Sequence, residues 1–129
     1  GHTSFYMAHA QRAEMSSISL QHSDFSESDF HGANLQHADL RQSLMQDTNF
    51  ARANLEQANL SGAKMVNTNF SEANLSGAHF DKTTILPDAK FIRHGENYTP
   101  VYDNYWTPDT DMNRYTDPHH AYFWQPAWA

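Results

Sequence analysis

Cysteine does not occur anywhere in the 129 residues. Disulfide staples and thiolate metal sites are therefore excluded, as suits a reducing cytoplasm, the expected compartment; secretion or delivery stays open. Basic residues are scarce, with 8 Lys and Arg against 15 Asp and Glu for a net charge of -7. Direct gripping of nucleic acid or of an anionic membrane needs a basic face, so neither is an expected partner. Apolar residues make up only 39 %, low for a compact globule, and they never form a run long enough to cross a bilayer as a helix. The G-x-S-x-G, H-E-x-x-H and P-loop signatures are all missing. The expectation is a non-enzyme without cofactor or metal. The chain begins with Gly rather than Met, as a tag scar or a fragment would, so a missing targeting segment proves little.

What is present is a repeat. Read in fives from Thr3 to Ile85, every central residue is apolar: Phe5, Ala10, Met15, Leu20, Phe25 and so on to Phe80 and Ile85. Two residues before each centre stands a small residue such as Ser23, Ala33, Ala53, Thr68 or Ala78, with Ile18 the one large exception. Asn or Asp commonly precedes the centre, and Ala-Asn-Leu recurs at 33–35, 53–55, 58–60 and 73–75. A helix wants apolar spacing of 3.6 and a plain strand wants 2; a period of five fits neither. Centre and flank lie two apart, so both point inward from an extended segment, and the chain must turn before the next five.

Four such turns close a square coil of twenty residues, and residue types sort by twenty. One column of centres is Phe5, Phe25, Met45, Met65, Ile85; the next is Ala10, Phe30, Phe50, Phe70. Met15, Leu35, Leu55, Leu75 and Leu20, Leu40, Leu60, Phe80 complete the set. Like residues stack on like, and Phe30, Phe50 and Phe70 are expected to form an aromatic ladder. The Asn and Asp residues are expected to bond the backbone at each corner rather than to bind a ligand.

These residues closely resemble the pentapeptide-repeat proteins, whose motif is a small residue, Asn or Asp, Leu or Phe, and two variable residues. The resemblance covers about two-thirds of the chain. It implies an all-β fold, a right-handed four-sided parallel β-helix of about four coils over 3–92, followed by a C-terminal segment, 93–129. Coils stacked at the strand spacing of about 4.8 Å give a rod roughly 20 Å long with open sheet edges at its ends. The departures at the Asn/Asp place (Leu44, Lys64, His79, Thr84) should alter surface, not fold.

After Ile85 the pattern slips. Leu86-Pro87-Asp88 reads as a one-residue insertion and Ala89-Lys90-Phe91 as a last displaced unit. Residues 93–129 hold nine of the seventeen aromatics and four of the five prolines, unlike an ordinary linker. This segment is expected to cap the coil or to dock a partner.

Most outward positions are polar. The side built on Phe25, Met45 and Met65 is the exception, with Tyr6, Leu44, Val66 and Leu86 expected to face out. An apolar strip of this kind usually contacts something. With Tyr102, Tyr105, Trp106, Tyr122, Phe123, Trp124 and Trp128 of the tail it forms the candidate interaction surface.

Other constellations are bland. His22, His31 and His37 fall on different sides or levels, His119-His120 lacks a second cluster, and metal ligation needs convergence. Carboxylates such as Asp24, Glu27, Asp29 and Asp47 sit on a flat side that offers no desolvating pocket.

The functional expectation is a protein–protein interaction or scaffold module. The resemblance adds that such repeats are often appended to larger bacterial proteins, including secretion-associated ones. Another protein is the expected partner, with a homodimer through the C-terminal region as one form. The alternative implied by the resemblance is duplex-DNA mimicry toward a bacterial topoisomerase. Ten acids against six basic residues over 1–92, and Arg12 and Arg52 in one outward column, make a thin acidic stripe for that role.

Overall fold

The computed structural model describes residues 3–101 and Thr116. Through Phe80 the backbone repeats one figure: two turn residues, an inward small residue, a ladder residue and an inward centre. Each ladder residue pairs in parallel with the residue twenty further on. Ser4, Asp24, Leu44 and Lys64 form face 1, and His9, Asp29, Asn49 and Asn69 form face 2. Face 3 is Glu14, Asn34, Asn54 and Asn74; face 4 is Ser19, Asp39, Asn59 and His79. The result is the right-handed four-sided β-helix that the period of twenty demands.

The corners explain the period of five. Each is a four-residue turn closed by a backbone bond such as Ala53 N to Phe50 O at 3.0 Å. Its third residue has positive φ at every turn from Met7 to Gly77, twelve of the fifteen positions being non-glycine. A non-glycine residue held left-handed costs about 1–3 kcal/mol unless its surroundings over-determine it. Here two bonds do so. The left-handed residue donates to the next coil, as Arg52 N does to Ser71 O at 2.8 Å. The preceding Asn or Asp accepts from the turn, as Asn54 Oδ1 does from Glu56 N at 3.0 Å. Equivalent side-chain bonds cap the turns after Asp24, Asp29, Asn34, Asp39, Asn49, Asn59, Asn69 and Asn74.

Inside, Phe25, Phe30, Leu35, Leu40, Met45, Phe50, Leu55, Leu60 and Met65 are fully buried. Phe30, Phe50 and Phe70 do stack, with centroids 5.6 and 5.9 Å apart. The flanks divide by chemistry. From the second coil on, faces 3 and 4 use alanine, while faces 1 and 2 use hydroxyls except at Ala63, several of them bonded to the coil below. Thr48 Oγ1 donates to Phe25 O at 2.7 Å, Thr68 Oγ1 to Met45 O at 2.5 Å, and Ser43 Oγ to Leu20 O at 3.1 Å.

The slip lies earlier than the sequence suggested. Lys64 pairs with Ile85, twenty-one residues on, so the extra residue sits between Phe80 and Thr84. Thr84 becomes the buried flank and Leu86, not Ile85, the inward centre; Leu86 is 0 % exposed and leaves the expected outward strip. Proline supplies the reason. With Ile85 as centre, Pro87 would occupy the left-handed turn position, which its ring forbids. One residue of slip places Pro87 second in the turn, where φ near −65° is favoured. Asp81 holds the longer loop by accepting from Thr83 N at 2.9 Å, and Thr84 Oγ1 anchors it to Leu60 O at 3.2 Å.

A turn closed by Ala89 N to Leu86 O at 3.1 Å ends the coil. Two antiparallel strands follow, β1 (Lys90–His94) and β2 (Asn97–Val101), paired from Lys90 with Val101 to His94 with Asn97. Gly95, at φ +62, takes the first place of the two-residue loop, as a type II′ hairpin requires. The hairpin straddles the expected 92/93 boundary, and Phe91 is exposed rather than the buried centre of a last unit. Thr116 returns to the end of the coil, where its carbonyl accepts from Glu72 N at 2.6 Å. In lower coils Ser71 and His31 make the same bond to Arg52 and Arg12.

Candidate interaction surface

Faces 2 and 3 present capped Asn and Asp side chains above His9 and Glu14, their first ladder residues. Face 1 does not: after Asp24 its ladder carries Leu44 and Lys64. The corner between faces 1 and 2 is also unusual. Its turn residues stack in two columns, Tyr6, Ser26, Gln46, Val66, Pro87 and Met7, Glu27, Asp47, Asn67, Asp88. The columns are tied by Met7 N to Ser26 O (3.1 Å), Glu27 N to Gln46 O (2.9 Å), Asp47 N to Val66 O (3.1 Å) and Asn67 N to Pro87 O (3.0 Å).

Six large apolar side chains are exposed among the described residues, from 40 % at Leu44 to 61 % at Tyr98. Tyr6 and Met7 lie at the first turn of this corner and Leu44 on the face 1 ladder between Asp24 and Lys64; Phe91, Ile92 and Tyr98 lie on the hairpin that follows the corner's last turn. The lower part of the corner is acidic. An open groove of about 530 Å³ is lined by Glu27, Ser28, Asp29, Asp47 and Asn49. The Tyr6 hydroxyl bonds Glu27, whose carboxylate raises the phenol above its usual range. Asp29 accepts from Gln11 at 2.8 Å.

Of the expected surface residues, Tyr6 and Leu44 are exposed and Val66 is half-buried. Leu86 is inside. Tyr102, Tyr105, Trp106, Tyr122, Phe123, Trp124 and Trp128 lie outside the described residues, as does His119-His120. Met7, Phe91, Ile92 and Tyr98 were not anticipated as surface contacts. Met7 was legible as an apolar residue at a turn position. Phe91 was hidden by its apparent place in the repeat.

The two neighbouring corners show spent chemistry. Between faces 4 and 1, Arg41 bonds Asp39 through Nε (2.9 Å) and Nη2 (2.8 Å), and Gln21 donates to the same carboxylate. Arg41 holds that carboxyl down to about 2, and Asp39 raises the guanidinium in turn. The nearby groove of about 240 Å³ includes Asp81, lowered by the Thr83 hydroxyl. Between faces 2 and 3, Arg52 pairs with Glu72 at 2.6 Å. No group of three or more His, Asp or Glu converges to hold a metal ion among the described residues, and no helix among them is long and apolar enough to cross a membrane.

A four-sided coil built on centre-and-flank fives defines a class, and comparison with known proteins gives the family. The model of pentapeptide repeats, in 8 copies, matches residues 11–47 and 48–85. The chain belongs to the pentapeptide-repeat family. Among solved structures it is similar to alr5209, a pentapeptide repeat protein from Nostoc PCC 7120: 31 % identity over 68 % of this chain and 77 % of that one, TM-score 0.59. It is also similar to the pentapeptide repeat protein Rfr23 from the cyanobacterium Cyanothece 51142, at 34 % identity over 65 % of this chain and 59 % of that one, TM-score 0.53. QnrB1, a plasmid-mediated fluoroquinolone resistance protein, matches at 18 % identity over 66 % of this chain and 51 % of that one, TM-score 0.40, too remote to bear on function. No curated protein matches the sequence.

Proposed function

We propose that this chain is a non-enzymatic protein-interaction module that works through the corner between faces 1 and 2, as part of a larger bacterial protein. The observation that carries the reading is the segregation of exposed apolar side chains. Tyr6 and Met7 sit on this corner, Leu44 on face 1 beside it, and Phe91, Ile92 and Tyr98 on the hairpin that follows its last turn. Apolar side chains gathered on one edge mark contact, whereas the same number scattered singly would mean nothing. The turn-locked Asn and Asp ladder supports a passive rod, since its side-chain carbonyl and carboxylate oxygens accept from the turns.

Duplex mimicry would call for an unbroken line of negative charge. Arg12 and Arg52 on one corner, and Lys64 on face 1, interrupt it. A photo-reactive residue at position 44, and another at 57 on the corner between faces 3 and 4, test the reading. Expressed in the native cell, position 44 should give discrete protein adducts and position 57 none. Equal labelling from both would refute it.

A further inference from the structure

The lower end of the coil is an open edge. In the second coil each ladder residue bonds downward twice, as Asp24 does in donating to Thr3 O at 2.9 Å and accepting from Phe5 N at 2.6 Å. Ser4, His9, Glu14 and Ser19 hold the same places in the first coil, and their backbone N–H and C=O groups have no backbone partner among the described residues. The core is open there too. Phe5, Met15 and Ile18 are only half-buried, whereas Phe25, Leu35 and Ala38 one coil up are buried. An unpaired sheet edge around an exposed core is a template for another chain.

This end is also the neutral part of an acidic protein. Arg12 and Glu14 are the only Lys, Arg, Asp or Glu from residue 3 to residue 20, against a net charge of -7 overall. Two copies therefore meet here without the repulsion that the acidic stretches would bring.

The helical rise selects how they meet. Each face stands a quarter of a coil above the one before, about 1.2 Å at the strand spacing, so the edge is a ramp from Ser4 up to Ser19. A two-fold axis across the rod turns a second copy over and reverses its strands. With that axis through the corner between faces 2 and 3, the two ramps run against each other and the gap is equal on all four faces. Ser4 then lies opposite Ser19 of the other copy, and His9 opposite Glu14. Any other two-fold setting, such as Glu14 on Glu14, leaves some faces one coil step out of level. The level setting puts an imidazole against a carboxylate twice, and antiparallel residues paired in this way exchange two bonds each, eight in all. Ala8, the small flank, comes opposite Met15. Arg12 stands on the axis corner in both copies, but its Cγ lies against Gly32 of the coil above, so its stem runs away from the edge.

We propose that the lower end of the coil binds a second copy of the chain, end to end about a two-fold axis, through antiparallel pairing of Ser4 with Ser19 and of His9 with Glu14. The contact is independent of the corner between faces 1 and 2 and leaves Leu44 and the hairpin exposed.

The test uses the full chain, which has no cysteine to interfere. Sedimentation equilibrium should show a dimer at micromolar concentration. Ser19→Pro deletes an edge N–H that has no partner among the described residues, so it should weaken the dimer at least tenfold while the circular dichroism of the coil is unchanged. His9→Glu sets carboxylate against carboxylate twice and should weaken it about tenfold; Glu14→Lys in the same chain should restore it. Ser4→Cys and Ser19→Cys, prepared separately and mixed under mild oxidation, should give a 4–19 disulfide between chains in preference to either self-pair. A monomer at high micromolar concentration would overturn the proposal, as would a dimer that a folded Ser19→Pro variant leaves intact, or one cross-linked chiefly from 4 to 4. If Ser19→Pro does not fold, the disulfide pattern decides.

Discussion

Replacing Phe50 by alanine tests how the coils are held together. Phe50 is fully buried and touches three rings. Phe30 lies at 5.6 Å and 30°, Phe70 at 5.9 Å and 10°, and Phe25 meets it edge-on at 6.0 Å. Phe→Ala in a core costs about 3–5 kcal/mol, and the spread reflects how far the site can collapse. Collapse is blocked here. Asn49 N is bonded to Ser28 O at 3.0 Å and Phe50 N to Asn69 O at 2.8 Å, so the backbone is pinned to the coils on both sides. The loss should therefore fall near the upper end, about 4–5 kcal/mol. Phe50→Leu keeps much of the volume and should cost under about 1.5 kcal/mol. Urea unfolding followed by far-UV circular dichroism gives both values, with the slope checking that the unfolded state is unchanged. A loss below about 2 kcal/mol for the alanine variant, at unchanged slope, would mean that the coils close over the gap and that the aromatic ladder is not a rigid spine.

Two further perturbations address the corners and the slip. Asp39 has its carboxyl lowered to about 2, chiefly by its bond to Arg41, which outweighs the opposing cost of burial, with Gln21 adding to the lowering. Since the folded value lies below the ordinary value of about 3.9, its stabilisation is full above that pH and is lost as pH falls through 2. Carboxyl carbon NMR should find its midpoint near 2, and Arg41→Gln should move it upward; a midpoint in the ordinary range would show the pair to be unformed. Deleting Lys82 together with Thr83→Gly restores a spacing of twenty between Lys64 and Ile85 and gives the shortened turn its left-handed glycine. Leu86 stays over Met65, so stability should change by less than about 1 kcal/mol. A loss of about 2–5 kcal/mol would mean that Ile85 was the buried centre after all.

The coil was legible because its rules are local. A small flank, an apolar centre and a corner-capping Asn or Asp are each set by one turn, and sorting by twenty fixed the faces from Phe25 to Phe80. The slip was misread because both Ile85 and Leu86 satisfy the apolar rule. What separates them is the turn that follows, where the third residue must be left-handed and Pro87 cannot be. That signal was in the sequence but needed the turn geometry to be read. The hairpin was missed for a different reason. Ala89-Lys90-Phe91 fits the repeat pattern in composition, and nothing within five residues reveals that Lys90 will pair with Val101 instead of continuing the coil.

The same geometry bears on why one face departs from the motif. At Asn54 a side chain accepts from the turn N–H two residues on, a bond of the kind that contributes about 0.5–1.5 kcal/mol. Leu44 and Lys64 can make no such bond, and no side chain among the described residues caps Gln46 N or Val66 N. Face 1 is thus less well held at two successive corners than faces 2 and 3, and it exposes a leucine where asparagine would suit the fold better. A local rule broken without a compensating bond among the described residues is what a surface adapted to another contact looks like. Leu44→Asn should therefore stabilise the isolated chain while weakening association, a pairing of signs that neither a purely structural role nor a random surface substitution would give.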